Sequence, residues 1–516
     1  MSVEIAGLGL AVADLAIKYG RELVEFYSSF KEANKKAVQD QVLTIQNIWY
    51  KTQHQIEFLG HIWNTLDADF QVHLEEVLDR LANGMQVAWS QVQRVERKKR
   101  IFQEGILKIN RLKYAFIKES IDKAVAELQH WQQSFDPSWT LMLRSSNPQI
   151  DQQINKNLSY DQSNQKASSV ILKARNTRRS LNMEMQDEPG LSLHKDIGVQ
   201  EMIPHSCAKL SQRTKTSVTK QYIVDSIPLL PEVDSQILAK DVRDLARRLR
   251  AVDPLTFGLL QCRGFYKEMD DERRSLASFD LVFTIPTGLR NPKSLRHILL
   301  SPDPDTSLSD RFRVAQQLAQ AVSYVHTYGF VHKGIRPDTI LIFEDRTSSL
   351  AASFLVGFES MRTENGRTLK AGDSVWEKDI YRHPLRQGLK PEVAYIMQHD
   401  IYSLGVCLLE IGLWESFVLY QNEAIPSHLL PPFIDEEAEE VAKATRIKDS
   451  LVGLARKKLP GRMGDKYTDV VVNCLTCLDE DNIDFGNERD FEDEDGILIG
   501  VRYIEKVLLR LNDVSL

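Results

Sequence analysis

Apolar residues recur at helical spacing through the first third of the chain. The repeat is carried by Leu8, Ala11, Val12 and Leu15 and, later, by Leu74, Val77, Leu78 and Leu81. Apolar positions at i, i+3, i+4 and i+7 are typical of amphipathic helices. The run from about residue 2 to 135 contains no proline, so we predict four or five long helices that pack as a bundle. Pro137 is expected to open a further short helix that ends near Arg144.

The pattern changes after residue 144. Ser145-Ser-Asn-Pro148 breaks the helix, and Gln, Asn, Ser, Lys and Asp dominate from Gln149 to Gln165. Such a segment cannot bury enough apolar surface to fold alone. We therefore predict a polar linker over 145–214 that holds one helix near Ser168–Leu181.

Short strand and helix patterns alternate beyond the linker. The predicted order is a strand at Tyr222–Pro228, a helix at Pro231–Ala251, and strands at Leu259–Phe265 and Phe279–Ile285. A turn at 286–288 and a long helix capped by Ser307 follow. This helix leads directly into His332, where the informative chemistry begins.

The stretch His332-Lys-Gly-Ile-Arg-Pro-Asp-Thr339 resembles the catalytic loop of protein kinases, H-R-D-L-K-P-E-N. His332 and Pro337 match the pattern, and Lys333 stands at the Arg position. Gly334 stands at the catalytic Asp and Thr339 at the metal-binding Asn. In an active kinase that Asp accepts the substrate proton and that Asn holds magnesium. Glycine cannot accept a proton, and threonine is a poor ligand for a hard cation, so the resemblance implies an inactive loop.

Three further motifs agree with this resemblance in order and spacing. At the position of D-F-G, Phe358 matches the Phe and Gly357 replaces the metal-binding Asp. Tyr381-Arg-His-Pro384 resembles the end of the activation segment. The run from His399 to Trp414 resembles kinase helix F and retains Asp400 and Gly405. In that family the helix-F Asp hydrogen-bonds the catalytic-loop backbone, so the resemblance implies a structural role for Asp400.

The groups that bind nucleotide in active kinases are missing from the sequence. No G-x-G-x-x-G occurs, and no V-A-I-K occurs. The nearest lysines, Lys220 and Lys240, do not end an apolar strand. Asp241 and Asp244 lie where the family's helix-C Glu would be, but no strand lysine is evident as their partner. We therefore predict a reduced N-lobe.

These patterns predict a multidomain protein with an all-α helical bundle followed by an α+β protein-kinase-like bilobal fold. The predicted limits are 1–144 for the bundle, 145–214 for the linker, 215–290 for the reduced N-lobe and 291–516 for the C-lobe.

Composition restricts the function classes. The 516 residues are 42% hydrophobic and 27% charged, with a net charge of −7 that gives no argument for nucleic-acid binding. The five cysteines are too sparse for a disulfide framework and favour a reducing compartment. Cys474 and Cys477 are expected to be buried helix residues rather than zinc ligands. Without a signal-peptide pattern or an apolar run that could span a bilayer, we expect a cytoplasmic protein.

The N-terminal region suggests a partner for the bundle. The first 17 residues are nearly all apolar or small, and a compact basic run contains Arg94, Arg97, Lys98, Lys99 and Arg100. An apolar segment with a basic face can bind an anionic membrane surface, although a core helix and a solvated helix face are the simpler interpretations. The region is similar to fungal HeLo and HeLo-like domains, and the overall plan is similar to mixed-lineage kinase domain-like proteins.

The first functional hypothesis is a catalytically inactive, kinase-like regulatory protein of signalling or programmed cell death. In it, the kinase-like part would control a bundle that binds other proteins, itself or a membrane. The alternatives are an atypical kinase that uses Asp338 or Glu359, and an interaction scaffold without a membrane role. No cofactor and no metal are expected, and residual ATP binding stays open.

Overall fold

The structure is a computed structural model of the whole chain, which divides into two compact units, Met1–Arg178 and Arg179–Leu516. It describes residues 8–28, 36–102, 111–160, 167–182, 191–193, 198–215, 218–229, 233–270, 275–303, 305–360, 362–363, 375–388, 393–431, 440–485 and 497–514. Where the structure describes it, the chain contains no helix that is long and apolar enough to cross a membrane.

The described part of the first unit is helical, as its apolar periodicity predicts. Its helices are α1 (Leu8–Ser28), α2 (Lys36–Ile62), α3 (Ala68–Phe102), α4 (Arg111–Arg144), α5 (Pro148–Tyr160) and α6 (Ala167–Asn182), which ends just past the unit boundary. Helices α1 to α4 pack against one another. Gly20 lets α1 lie close to the Trp49 ring of α2, because a Cβ at Gly20 would lie only 2.2 Å from that ring.

The prediction that Pro137 opens a separate helix is wrong, because α4 continues through it. An internal proline costs a helix about 3 kcal/mol. Here the flanking residues are core: Phe135, Trp139 and Met142 are buried, and the Trp139 ring lies 5.3 Å from that of Phe58. Burial of several large side chains offsets the lost backbone hydrogen bond.

The predicted linker contains regular structure in its described residues. Helix α6 agrees with the helix expected near 168–181, but α5 was not expected. Arg178 explains the order of this segment. It is buried, binds the Asp151 carboxylate at 2.6 Å, and donates to the backbone oxygens of Leu143, Ser145 and Asn147. One guanidinium thus caps the end of α4 and holds α5 and α6 to it. The limits of the four domains stay predictions.

The second unit begins with a five-stranded antiparallel sheet of order β1-β2-β3-β5-β4. Its elements are β1 (Val199–Met202), β2 (Lys209–Lys215), β3 (Val218–Pro228), α7 (Ser235–Arg250), α8 (Pro254–Phe257), β4 (Gln261–Asp270) and β5 (Ser275–Thr284). Strands β3 to β5 and α7 lie where the sequence predicts them. Strands β1 and β2 fall within the predicted linker, since their alternation of mostly polar residues gives no strand signal.

The rest of the second unit is mainly helical. Its elements are β6 (Arg290–Ser294), α9 (Leu295–Leu300), α10 (Leu308–Thr327), β7 (Phe330–Val331), β8 (Ile340–Glu344), β9 (Ala352–Leu355), β10 (Arg362–Thr363), α11 (Trp376–Asp379), α12 (Met397–Leu413), β11 (Val418–Tyr420), β12 (Ala424–Pro426), α13 (Glu440–Lys458), α14 (Pro460–Met463), α15 (Asp465–Leu475), α16 (Ile497–Tyr503) and α17 (Leu509–Asn512). A small antiparallel sheet followed by a helical lobe confirms the predicted kinase-like bilobal fold class.

Candidate functional site in the cleft of the kinase-like unit

Asp400 fixes the backbone of the loop 332–339. This loop joins β7 to β8, and Asp400 lies in the first turn of the buried helix α12. Its two carboxylate oxygens accept the amide hydrogens of His332 at 2.7 Å and Lys333 at 2.9 Å. Lys333 adopts a left-handed φ of 63°, a conformation that costs a non-glycine residue energy. The two hydrogen bonds hold the loop in that conformation.

The Asp400 carboxylate is fully buried but well satisfied. Burial alone would raise its pKa, but contacts with His326, at 3.1 Å, and with the Tyr395 hydroxyl, at 2.6 Å, bring the pKa below its usual value. The group is therefore ionised, and its hydrogen bonds are charge-assisted. Asp400 acts as a structural anchor rather than as a reactive acid.

His332 and Phe358 pack together beneath the loop. The His332 Nε2–H donates to the Val356 carbonyl at 3.0 Å, and the His332 ring centroid lies 5.0 Å from that of Phe358. Complete burial lowers the pKa of His332 to about 4. The imidazole is therefore neutral at physiological pH and serves to connect the loop with the segment after β9.

Thr339 directs its hydroxyl into the loop itself. The Thr339 Oγ1 accepts the amide hydrogen of Arg336 at 3.2 Å and lies 2.9 Å from the carbonyl oxygens of Gly334 and Arg336. The side chain is fully buried. A hydroxyl committed to three backbone groups is not available as a metal ligand.

Gly357 has no room for a side chain. Its φ is +84°, and a Cβ there would lie 2.3 Å from Thr339 Cγ2 and 3.0 Å from Cys207 Sγ. A separation under 3 Å between such heavy atoms is a severe clash. The position that resembles the metal-binding Asp is thus filled by side chains from two other parts of the chain.

Asp225 is the central residue that the sequence analysis missed. It lies on β3, is fully buried, and its Oδ2 accepts the amide hydrogens of Gly357 at 2.9 Å and Phe358 at 3.0 Å. Its Oδ1 has no hydrogen-bond partner among the described residues. The sequence did contain a signal for this residue. A charged residue follows an apolar run in Tyr222-Ile-Val-Asp225, as the lysine does in the kinase motif V-A-I-K, but its charge is negative rather than positive.

Burial raises the pKa of Asp225 to about 7, against the lowering effect of the two amide hydrogen bonds. An unfolded aspartate has a pKa of about 3.9. Between these values the folded state binds a proton that the unfolded state does not, so on account of Asp225 stability falls as pH rises from about 4 to about 7.

Replacing Asp225 by asparagine tests this pH dependence. Asn keeps an oxygen for both amides and cannot ionise, so Asp225→Asn should gain stability relative to the native chain between pH 5 and pH 8, by about 2 kcal/mol. Urea unfolding at several pH values measures the difference. Asp225→Ala, which lacks the oxygen, should follow the pH trend of Asp225→Asn at lower stability throughout. Parallel curves for the native chain and Asp225→Asn would contradict the assignment.

The two acids considered as substitutes for the missing catalytic groups are both bound by arginines. Glu359 pairs with Arg336 at 3.0 Å, and Asp338 pairs with the fully buried Arg296 at 3.3 Å. Arg296 also binds Glu410 at 3.1 Å. Both carboxylates are thus engaged in ion pairs within the cleft.

The remaining landmarks have packing roles. Pro337 and Pro384 are buried at the start of 3₁₀ turns. Gly405 lets α12 approach α15, because a Cβ there would lie 2.9 Å from the Cβ of Cys474. Cys474 and Cys477 are both buried, and no cluster of three or more metal-ligand side chains occurs among the described residues.

Replacing Gly405 by alanine is expected to destabilise the second unit by about 1–3 kcal/mol through overpacking. Gly453 in α13 is the matched control, since an added Cβ there would meet no atom within 4 Å beyond its chain neighbours and its own helix backbone. Gly453→Ala should stabilise by up to about 1 kcal/mol, because alanine is the better helix former. Denaturant unfolding compares the two. Equal effects of the two substitutions would rule out the close helix approach.

The basic run lies outside the described side chains. Residues 94–100 belong to α3, so the helical backbone is established, while the contacts of Arg94, Arg97, Lys98, Lys99 and Arg100 are not part of the described structure.

The chain shares 30% identity over 120 residues with a serine/threonine-protein kinase-like protein of Arabidopsis thaliana. The shared stretch is 23% of this chain and 33% of that protein, so the chain spans about a third of the length of the curated relative it matches. No protein-family model matches the chain. Together with the fold, the similarity supports a protein kinase-like domain.

Proposed function

We propose that the kinase-like unit is a non-catalytic regulatory module. The observation that carries the proposal is the closed position of Gly357, where Thr339 and Cys207 leave no space for a metal-binding carboxylate. Phosphoryl transfer depends on magnesium ions that neutralise the developing charge on the phosphates. A second observation is that Gly334, at the position of the catalytic Asp, has no side chain that could accept a proton. Asp338 and Glu359 are both paired with arginines, which disfavours the atypical-kinase alternative.

The test is ATP binding and phosphate transfer by the full chain, with and without magnesium. We expect no magnesium-dependent thermal shift and no turnover. Gly334→Asp should also show no turnover, because the added carboxylate does not restore the metal position. Magnesium-dependent binding with turnover would refute the proposal.

A matched pair of variants separates intrinsic activity from a contaminating kinase. An atypical mechanism through Glu359 or Asp338 would lose its activity in Glu359→Gln or in Asp338→Asn. Transfer that is equal in the native chain and in both variants would point to a contaminant.

We further propose that this module controls the helical bundle, as in a cell-death or related signalling switch. The support is the presence of both parts in one chain and the apolar start and basic run of the bundle. Membrane binding through a basic helix scales with its charge and with anionic lipid content. In the full chain, glutamine at all five basic positions should weaken binding to anionic vesicles and leave binding to neutral vesicles unchanged. Unchanged binding to anionic vesicles would favour the scaffold without a membrane role.

A further inference from the structure

The turn between β1 and β2, residues 203–208, reaches the C-terminal lobe; we name it the hairpin tip. Its turn is closed by the Ser206 amide, which donates to the Ile203 carbonyl at 3.0 Å. Pro204 and His205 are the central residues, and His205 has a left-handed φ of 52°. Glycine or asparagine is the usual residue at such a position. A histidine there is strained by about 1–2 kcal/mol, so another contact must hold it.

That contact is made by the His205 ring. Its centroid lies 4.8 Å from that of Tyr420 and 6.1 Å from that of His297. Tyr420 is in β11 and His297 is in α9, both in the C-terminal lobe. The strained residue is therefore the one whose side chain meets the opposite lobe, an arrangement found where strain has a function.

Two hydroxyl groups fasten the backbone of the hairpin tip to the same lobe. Ser294 Oγ donates to the Pro204 carbonyl at 2.8 Å, and Ser206 Oγ donates to the Asp338 carbonyl at 3.0 Å. The Ser206 Oγ also accepts the Ala208 amide of its own turn at 3.1 Å. Ser206 thus connects the conformation of the turn with the loop 332–339.

The hairpin tip and Asp225 meet at one point. Cys207 Sγ lies on one side of Gly357, and the Asp225 carboxylate binds the amides of Gly357 and Phe358. In an active kinase a glycine-rich loop covers the nucleotide phosphates at the cleft. Here the segment 199–215 contains no glycine, and its turn contacts the loop directly.

We propose that the hairpin tip and Asp225 form a releasable latch between the two lobes, through which the chain closes its own cleft. The rim of the latch is accessible to solvent: His205 is exposed and Tyr420 is 39% exposed. Contacts at an exposed rim open more readily than those of the core. A regulatory partner would act by shifting the balance between closed and open states.

The charges around Asp225 agree with a latch that is easily released. The charged groups that act on it are Glu359 after β9 and Asp280 on β5, and each disfavours a further negative charge, while burial raises the pKa of the Cys207 thiol in the hairpin tip and keeps it neutral. Arg336 lies close enough to influence Cys207 but binds Glu359. Ionisation of Asp225 therefore weakens the closed state.

Hydrogen–deuterium exchange of the full chain tests whether the two contacts open together. The release variant combines His205→Ala, which removes the ring contact but keeps the strained φ, with Ser206→Ala. We expect exchange to accelerate roughly tenfold in 203–208 and also at Gly357 and Phe358, as loss of interlobe hydrogen bonds implies. The amides of His332 and Lys333, held by Asp400, should keep their protection.

Ser278→Ala is the control. It removes a comparable 2.7 Å hydrogen bond to Asp280 within the N-terminal sheet and should leave exchange unchanged at 203–208 and 357–358. Faster exchange at 203–208 alone in the release variant, with Gly357 and Phe358 unchanged, would overturn the latch.

A disulfide trap gives a second, independent measurement. Cys207 Sγ and Thr339 Cγ2 both lie within 3.0 Å of the point where a Gly357 Cβ would be. Mild oxidation of Thr339→Cys should therefore join Cys207 to the new thiol, as peptide mass spectrometry would show, and slow exchange at 203–208. Thr339→Ser, which keeps the hydroxyl, controls for folding. Absence of the bond in a folded variant would contradict the latch.

The latch and the proposed lack of catalysis fail in different experiments. Phosphate transfer would refute the non-catalytic function and leave the exchange result intact. If exchange accelerates at 203–208 but not at Gly357 and Phe358, the latch is refuted. The absence of phosphate transfer would then still hold, but the latch would not explain it.

Discussion

Replacing Gly357 by alanine is expected to destabilise the kinase-like unit by about 3 kcal/mol or more. The left-handed φ of +84° costs a non-glycine residue about 1–2 kcal/mol. The added methyl would also clash with Thr339, whose Cβ would lie 2.8 Å away, and overpacking adds about 1–3 kcal/mol. The Thr339 side chain cannot move aside without breaking its loop hydrogen bonds. Urea unfolding of the full chain, followed by far-UV circular dichroism, measures the loss.

Gly334 provides the matched control for this prediction. It lies in the same cleft, but its φ is not left-handed, and the nearest atom to an added Cβ is Arg336 Nη1 at 3.2 Å. That atom is the end of a flexible side chain, so Gly334→Ala should cost less than about 1 kcal/mol. Similar losses at the two glycines would show that the crowding at Gly357 is not real.

Replacing Arg296 by methionine should cost about 3–5 kcal/mol, as expected when one partner of a buried ion pair is removed. Arg296 is 1% exposed and binds Glu410, which is fully buried, as well as the Tyr381 hydroxyl at 2.7 Å and the Ser416 hydroxyl at 2.7 Å. Burial alone would lower the pKa of Arg296, but Tyr381, Glu410 and Asp338 raise it above its usual value, so the guanidinium stays charged. Methionine would leave Glu410 buried without its counter-charge.

Arg290 is the control for Arg296. Its ion pair with Glu344 at 3.1 Å is similar in length, but the Arg290 side chain is 60% exposed. Exposed pairs contribute about 0–1 kcal/mol, so Arg290→Met should have a small effect. The same unfolding measurement compares both. A small loss for Arg296→Met would mean that Glu410 is neutral in the folded state, since burial raises its pKa to about 7.

The two large predictions bear on the same functional question. Gly357 determines whether the cleft can hold a metal ligand, and Arg296 is one of two arginines that pair with Asp338, the other being Arg336 at 3.7 Å. Both residues place the candidate chemical groups in packed, ion-paired environments, which supports the proposed non-catalytic function.

The spacing of apolar residues along the chain predicted the helices and strands that form from sequence-local patterns. The helical spacing of the first third, the strands near 222–228 and 259–285, and the buried helix that carries Asp400 all agree with the structure. The proline at 137 misled because its local cost is offset by tertiary burial. The segment 145–178 misled because one residue, Arg178, satisfies backbone groups more than 30 positions away in sequence.

In the cleft, too, the sequence determines some features and the tertiary structure determines others. The sequence by itself determined which chemical groups are missing, because a glycine at 334 and at 357 carries no acid in any fold. Only the tertiary structure decided what occupies their place: Cys207, Asp225 and Thr339, which meet at Gly357 from separate parts of the chain. Their contacts join residues up to about 150 positions apart in sequence, and neither periodicity nor spacing encodes such a meeting, because it depends on how strands and loops pack after they form.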